Sequence, residues 1–153
     1  MDWIETKVPP PVVALVCAGA MWAAARVTPA VSVAQGALDA VGSGVVVAGI
    51  AVELAGIFEF WRSRTSPNPL EPCHASTLVT GGVYRYTRNP MYVGDAAILV
   101  GWAIHLGSLV ALAGVVAFVA YIDRFQIPAE ERALGDLFGS VYDGFRAQTR
   151  RWL

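Results

Sequence analysis

The chain has 153 residues, of which 56% are apolar and 15% charged, with a formal net charge of −1 at pH 7. Soluble domains carry about 25% charged residues, so the composition excludes a disordered chain, a coiled coil and an ordinary cytosolic enzyme. It predicts a small multi-pass membrane protein that forms one domain over residues 1–153. Eleven basic against twelve acidic residues give no basic excess, so we expect no nucleic-acid partner.

Four apolar stretches are candidates for membrane-spanning helices, which need about 20 mostly apolar residues each. They are residues 8–25, 43–61, 91–107 and 109–122. The last is short, but it extends to Ile127 if Arg124 reaches the lipid headgroups. A tight turn at 106–108 predicts that the third and fourth stretches form a helical hairpin. Because Asp2 and Glu5 stand where a signal peptide is basic, we expect the first stretch to be retained.

The basic residues predict the orientation of these helices. With both termini in the cytoplasm, ten of the eleven lie on that side and only Arg26 lies outside. The predicted fold is therefore all-α, with four transmembrane helices, in a bacterial inner membrane. Its cytoplasmic features are a loop at 62–90 and a tail at 123–153, where a water-soluble cofactor would bind.

The tail has the pattern of an amphipathic helix. Six apolar residues recur at helical spacing and form one face: Leu134, Leu137, Phe138, Val141, Tyr142 and Phe145. Pro128 suits the first turn of this helix. Gly139 and two further glycines weaken it unless it packs closely on the membrane surface or on the loop.

Glu53 lies near the middle of the second stretch, on one helix face with Gly49 and Gly56. Small residues on that face favour close helix packing. A carboxyl group inside the membrane suggests function, and the alternative is a hydrogen-bonded Glu53 that holds helices together. We expect Asp95 one turn inside the third stretch, and we expect Glu59 to pair with Arg62.

Two cytoplasmic clusters carry groups suited to binding a small molecule. The loop reads Gly-Gly-Val-Tyr-Arg-Tyr-Thr-Arg-Asn-Pro-Met-Tyr-Val-Gly over residues 81–94, and the tail holds Glu-Glu-Arg at 130–132. Arginines bind carboxylates bidentately, and tyrosine rings pack on cations. A positive-inside loop with an aromatic belt explains the arginines and tyrosines, but it leaves the glycine pair and the Asn-Pro step unexplained. Cys73-His74 lacks a second ligand pair, so we expect no metal site.

Together the clusters resemble the isoprenylcysteine carboxyl methyltransferase family, one of a wider group of small membrane methyltransferases that includes phospholipid N-methyltransferases. The matching motifs are Leu-Val-Thr-x-Gly at 78–82, Tyr-Arg-x-x-Arg-Asn-Pro-x-Tyr-x-Gly at 84–94, Glu-Glu-x-x-Leu at 130–134, Phe-Gly-x-x-Tyr at 138–142 and Arg-Arg-Trp at 150–152. Thr65 and Pro69 resemble the entry to this loop. The resemblance is strongest over residues 58–153.

The resemblance implies S-adenosylmethionine as methyl donor and a lipophilic acceptor that arrives from the bilayer. It favours O-methylation of a prenylcysteine-type carboxylate, with N- or S-methylation of a phospholipid or small molecule as the alternative. The implied cofactor-binding residues are Gly81, Gly82, Tyr84, Arg88, Asn89, Pro90, Tyr92, Gly94, Glu130 and Glu131. The implied catalytic residues are Arg88, Asn89, Glu130 and Arg124.

Two positions depart from the family pattern. Asn89 stands where the prenylcysteine branch has histidine. Gln126 stands where many members have arginine, and Arg124, at most one helical turn away, would take over the role of that arginine. Two other functions remain open: a four-helix transporter or binding module that uses Glu53, and a relative of the much longer sterol reductases.

Overall fold

The computed structural model describes residues 8–31, 34–63 and 77–153, and within these ranges the protein is helical without a strand. The helices are α1 (Pro10–Val27), α2 (Gln35–Arg62), α3 (Pro90–His105), α4 (Leu112–Tyr121), α5 (Ile127–Phe138) and α6 (Ser140–Gln148). A short 3-10 helix (Gly82–Arg85) precedes α3, and a π-helical turn (Ile122–Gln126) connects α4 to α5. The all-α prediction is confirmed. Thr65, Pro69, Cys73 and His74 lie outside the described residues.

Three helices in the described chain are long and apolar enough to cross a membrane: Pro10–Val27, Gln35–Arg62 and the continuous helix Leu112–Phe138. These correspond to the first, second and fourth predicted stretches. The third stretch forms α3, whose 16 residues fall just short of the length of a spanning helix. Four spans are therefore not confirmed, and the crossing by α3 and the orientation of the termini stay predictions.

Helices α2 and α3 pack closely through glycines spaced seven residues apart. Gly42, Gly49 and Gly56 are buried on α2. A Cβ atom on Gly42 would lie 2.8 Å from the carbonyl oxygen of Gly101 on α3. The close packing predicted for the face of Gly49 and Gly56 is thus confirmed. Such contacts let two helix backbones approach in a lipid environment, where apolar side chains alone give little driving force.

The remaining helices complete the core and the predicted hairpin. Phe118 on α4 and Met21 on α1 are almost fully buried in one apolar cluster, and Trp102 on α3 donates a hydrogen bond to the Ala18 carbonyl. Between α3 and α4 the chain turns at Gly107, whose φ of +58° is accessible mainly to glycine. The tight turn predicted at 106–108 is confirmed.

The prediction of one continuous tail helix is wrong. The chain breaks at Gly139, where φ is +53° and ψ is −129°, so α5 ends at Phe138 and α6 begins at Ser140. Side chains essentially exclude this backbone conformation, which explains why glycine stands at the break. After α6 the chain lies beside the loop, where Thr87 and Arg150 form an isolated parallel bridge.

Candidate active site

The loop motif and the tail motif meet at Glu130 on α5. Its carboxylate accepts a hydrogen bond from the Tyr92 hydroxyl on α3 and one of 2.8 Å from Gln126 Nε2. Pro90 occupies the first turn of α3 and so sets where Tyr92 projects. Gln126 ends the π-helical turn, one turn before Glu130. Two neutral donors on separate elements therefore orient one carboxylate.

Glu131, the next residue, lies between two arginines. Arg88 NH1 lies 3.1 Å from Glu131 Oε1, and Arg151 NH2 lies 2.7 Å from Oε2. Arg151 also donates to Asp123 Oδ1 at 3.0 Å. The side chains of Arg88 and Glu131 are only 12% and 13% exposed, so this ion pair is largely withdrawn from water. Two positive and two negative groups balance in this network.

Arg88 has hydrogen-bonding capacity that the described residues do not use. It hydrogen-bonds Tyr142, which is buried on α6. Nε and NH1 of Arg88, by contrast, are buried and make no hydrogen bond within the described part of the chain, although NH1 takes part in the ion pair with Glu131. Burial and the nearby Glu131 carboxylate raise the pKa of the Tyr142 hydroxyl. Arg88 Nε is thus a buried donor without an acceptor among the described residues, which costs free energy, whereas NH1 is compensated by the Glu131 carboxylate.

The C-terminal residues 150–152, which we call the C-terminal strap, lie against the loop. Asn89 Nδ2 donates to the Arg151 carbonyl at 2.8 Å, and the Arg88 amide donates to the Arg150 carbonyl at 2.9 Å. The indole of Trp152 donates to Asp123 Oδ1 at 3.2 Å. Sequence reasoning noted Arg-Arg-Trp as part of the family pattern but did not include Arg151 among the site residues. That motif was the signal available in the sequence.

Tyr84 and the glycine pair lie beside the end of α2. Tyr84 is buried and packs edge-on against Phe60, with ring centroids 5.5 Å apart. Burial raises the pKa of the Tyr84 hydroxyl, and the carboxylates of Glu130 and Glu59 raise it further.

The Glu59 carboxylate lies against Gly82, whose φ is +55°, and next to Gly81. The predicted ion pair of Glu59 with Arg62 is present at 3.6 Å, but sequence reasoning missed the contact of Glu59 with the glycines.

Three further predicted site residues, Pro90, Gly94 and Arg124, lie away from the contacts of Glu130 and Glu131. Pro90 contacts the position of Gly56, and Gly94 leaves room for the Glu53 side chain, so both support the packing of α3 on α2. Arg124 is exposed on the π-helical turn and takes no part in either network among the described residues. Roles for these three in cofactor binding or catalysis stay predictions.

Glu53 and Asp95 form a separate polar contact between α2 and α3. Their side chains hydrogen-bond to each other. A hydrogen bond between two carboxyl groups requires that one of them carries the proton. The contact agrees with the interpretation that Glu53 holds helices together.

Comparison with known proteins shows which family the chain belongs to. The model of the phospholipid methyltransferase family matches residues 39–141, about two thirds of the chain. The chain belongs to the phospholipid methyltransferase family. This family comprises the isoprenylcysteine carboxyl methyltransferase-like small membrane methyltransferases, so the resemblance seen in the motifs is confirmed. The match includes Arg88, Glu130 and Glu131, and it ends before the C-terminal strap.

The searches of curated proteins and of solved structures gave the following results. An uncharacterized protein from Haemophilus influenzae is 40% identical over 63 residues, which cover 41% of this chain and 100% of that protein. No solved structure matches the chain. Membership of the phospholipid methyltransferase family suggests that this protein is a membrane methyltransferase, and the match does not determine its acceptor.

Proposed function

We propose that the protein is an S-adenosylmethionine-dependent methyltransferase that acts on a lipophilic acceptor from the bilayer. The observation that carries the proposal is the hydrogen bond between Tyr92 and Glu130, which joins the loop motif to the tail motif in a member of a methyltransferase family. The bound cofactor would supply a methyl group on a positively charged sulfur.

The side chains at the site fit the amino-acid end of this cofactor. The cofactor carboxylate would accept a hydrogen bond from Arg88, whose buried Nε makes none within the described residues. An unsatisfied buried donor costs about 1–3 kcal/mol, which such an acceptor would recover. The Glu130 carboxylate suits the ammonium group. The backbone amides near Gly81 and Gly82 are the alternative site for the cofactor carboxylate. The Glu59 carboxylate beside these glycines would repel it, which favours Arg88.

An apolar groove beside the site suits the hydrocarbon chain of the acceptor. It has a volume of about 440 Å³ and is lined by Val115, Val116, Val119, Ala120, Asp123 and Trp152. The four apolar residues belong to a helix that is able to cross a membrane. Asp123, at the polar end, is hydrogen-bonded to Arg151 of the Glu131 network. A chain lying in the groove would therefore hold its head group near the proposed cofactor site.

The head group of the acceptor decides whether the enzyme needs a base. Methyl transfer by in-line displacement requires the acceptor atom about 3 Å from the methyl carbon. An ionised carboxylate, such as the prenylcysteine type that the motifs favour, needs no base. A lipid amine must first lose a proton. One observation favours the amine as a second candidate. Gln126, hydrogen-bonded to Glu130, is a neutral amide where many family members place an arginine. An arginine there would pair with a substrate carboxylate, and a neutral amide lacks the charge to do so.

Calorimetric titration of the detergent-purified protein with S-adenosylhomocysteine tests the proposal. We expect saturable binding at micromolar concentrations that Glu130→Ala weakens at least several-fold. Asp136→Ala, which removes an exposed carboxylate from the same helix, serves as the matched control and should bind normally. Failure of a folded wild-type protein to bind would contradict the proposal and favour the transporter or binding module that uses Glu53. Binding of NADPH instead would favour the reductase alternative.

Incubation with radiolabelled S-adenosylmethionine then separates the acceptor classes. Prenylcysteines, lipid amines and small thiols are each supplied in detergent or vesicles, and methylated product is extracted and counted. Base-labile methyl ester from the prenylcysteine would support O-methylation. Base-stable product from the amine would support the second candidate.

A further inference from the structure

We propose that Arg151 is a positioning residue that acts through Glu131 and so holds Arg88 in the direction needed to bind the cofactor carboxylate. The inference rests on the proposed function and adds a residue beyond the segment that the family model matches.

Arg151 fixes the orientation of the Glu131 carboxylate. Arg151 donates to both oxygens of the Glu131 carboxylate, from Nε at 3.1 Å to Oε1 and from NH2 at 2.7 Å to Oε2. A bidentate pair of this kind sets the plane of the carboxylate as well as its distance. The third nitrogen of the guanidinium, NH1, donates to Asp123, so the group is held on two sides.

The Glu131 carboxylate in turn contacts Arg88. The Oε1 atom that receives Arg151 Nε also lies 3.1 Å from Arg88 NH1. The position of Arg88 therefore depends on where Arg151 holds this oxygen. Without Arg151, the Glu131 carboxylate loses its bidentate partner and is free to rotate toward Arg88. The Arg88 guanidinium would then hydrogen-bond to Glu131 instead of to a ligand.

The backbone of Arg151 is fixed beside Arg88. The Arg151 carbonyl accepts hydrogen bonds from Asn89 Nδ2 at 2.8 Å and from Thr87 Oγ1 at 3.2 Å. These two donors flank Arg88 in the sequence, and the Arg88 amide itself donates to Arg150. The side chain of Arg151 thus starts from a backbone that is fixed relative to Arg88. The hydrogen bond to Glu131 also raises the pKa of the Arg151 guanidinium, which keeps it charged.

A double-mutant cycle on S-adenosylhomocysteine affinity tests this chain of contacts. We expect Arg151→Gln to weaken binding about tenfold, the scale of one charge-assisted hydrogen bond. In a Glu131→Gln background the same change should weaken it less than about twofold, because the route through Glu131 is already lost. A residue that only stabilised the fold would weaken binding equally in both backgrounds.

Two further variants keep the test decisive. Arg150→Gln removes the exposed neighbouring guanidinium and leaves the backbone bond to Arg88 in place, so its affinity should stay within about twofold of wild type. Arg151→Lys keeps the charge without the bidentate geometry and should weaken binding at least about threefold. It replaces Arg151→Gln if that variant does not fold.

The outcomes separate this inference from the proposed function. Wild-type binding together with unchanged affinity in the Arg151 variants would overturn the positioning role alone. Equal losses in both backgrounds would also overturn it. Absence of binding by the folded wild-type protein would overturn the proposed function and the positioning role with it.

Discussion

Gly49 on α2 and Gly94 on α3 meet backbone to backbone, so that a Cβ atom on either residue would lie 2.8 Å from the carbonyl oxygen of the other. The contact places Glu53 of α2 over the surface that Gly94 leaves free. It also sets the position of the first turn of α3, which carries Tyr92 of the candidate site. The glycine of the Tyr-x-Gly motif therefore has a structural reason that does not involve a ligand.

Gly49→Ala should destabilise the protein, because its new methyl group would contact the Gly94 backbone, which has no flexible end to move aside. We expect a loss of about 1–3 kcal/mol, typical of overpacking. Gly44→Ala is the matched control on the same helix, where nothing lies within 4 Å of a Cβ atom. Helix propensity predicts that this control gains up to about 1 kcal/mol. Denaturant unfolding in detergent measures both, and equal stability of the two variants would contradict the packing.

Gly82→Ala should destabilise the protein more than Gly81→Ala. Gly82 has a φ of +55° and its missing side chain makes room for the Glu59 carboxylate, whereas a Cβ atom on Gly81 would lie 3.4 Å from Glu59 Oε2. We expect Gly82→Ala to cost about 1–3 kcal/mol of stability, the range for strained backbone. Thermal unfolding compares the two. A larger loss from Gly81→Ala would contradict the contact between Glu59 and Gly82.

Tyr92→Phe should weaken S-adenosylhomocysteine binding while the fold is retained. The change removes one hydroxyl, which donates to Glu130, and leaves the ring in the core. Loss of a hydrogen bond to a charged group predicts a loss of about 1.5–3 kcal/mol, or roughly tenfold or more in affinity. Tyr86→Phe removes the hydroxyl of an exposed tyrosine in the same sequence motif, 81–94, and should bind normally. Unchanged affinity in a folded Tyr92→Phe would remove this pair from the site.

Glu53→Gln should leave cofactor affinity near that of the wild type, because the amide keeps a hydrogen bond with Asp95. Glu53→Ala leaves Asp95 without that partner between the helices and should cost about 1–3 kcal/mol of stability. Calorimetry and unfolding of the two variants separate binding from stability. Loss of cofactor binding in Glu53→Gln would contradict the placement of the pocket at Arg88 and Glu130.

Gly139→Ala tests the break between α5 and α6. Nothing lies within 4 Å of a Cβ atom there, so the expected loss of about 1–3 kcal/mol comes from backbone conformation alone. Gly144→Ala, also in open space but inside α6, should instead gain up to about 1 kcal/mol. Circular dichroism and thermal unfolding check the pair. A stabilised Gly139→Ala would show that the tail tolerates one continuous helix.

The helices were predictable from the sequence because their signals are local. Long apolar runs predict spanning helices by length and composition, and the predicted run at 8–25 lies close to α1, which is long and apolar enough to span. The run at 91–107 likewise predicted a helix, although the observed α3 is too short to count as a span. The regular spacing of Gly49 and Gly56 on one face indicated close packing before any partner was known. The motifs likewise predicted that the loop and the start of α5 would share a site.

The contacts that build the site were decided only by the tertiary structure. Asn89 meets the carbonyl of a residue 62 positions away, and Arg151 meets a carboxylate 20 positions away. No periodicity encodes such pairs, since they depend on how Gly139 turns the chain back onto the loop. Apolar pattern therefore determined the helices. The directional hydrogen bonds of Glu130 and Glu131 required the three-dimensional approach of segments that are distant in sequence.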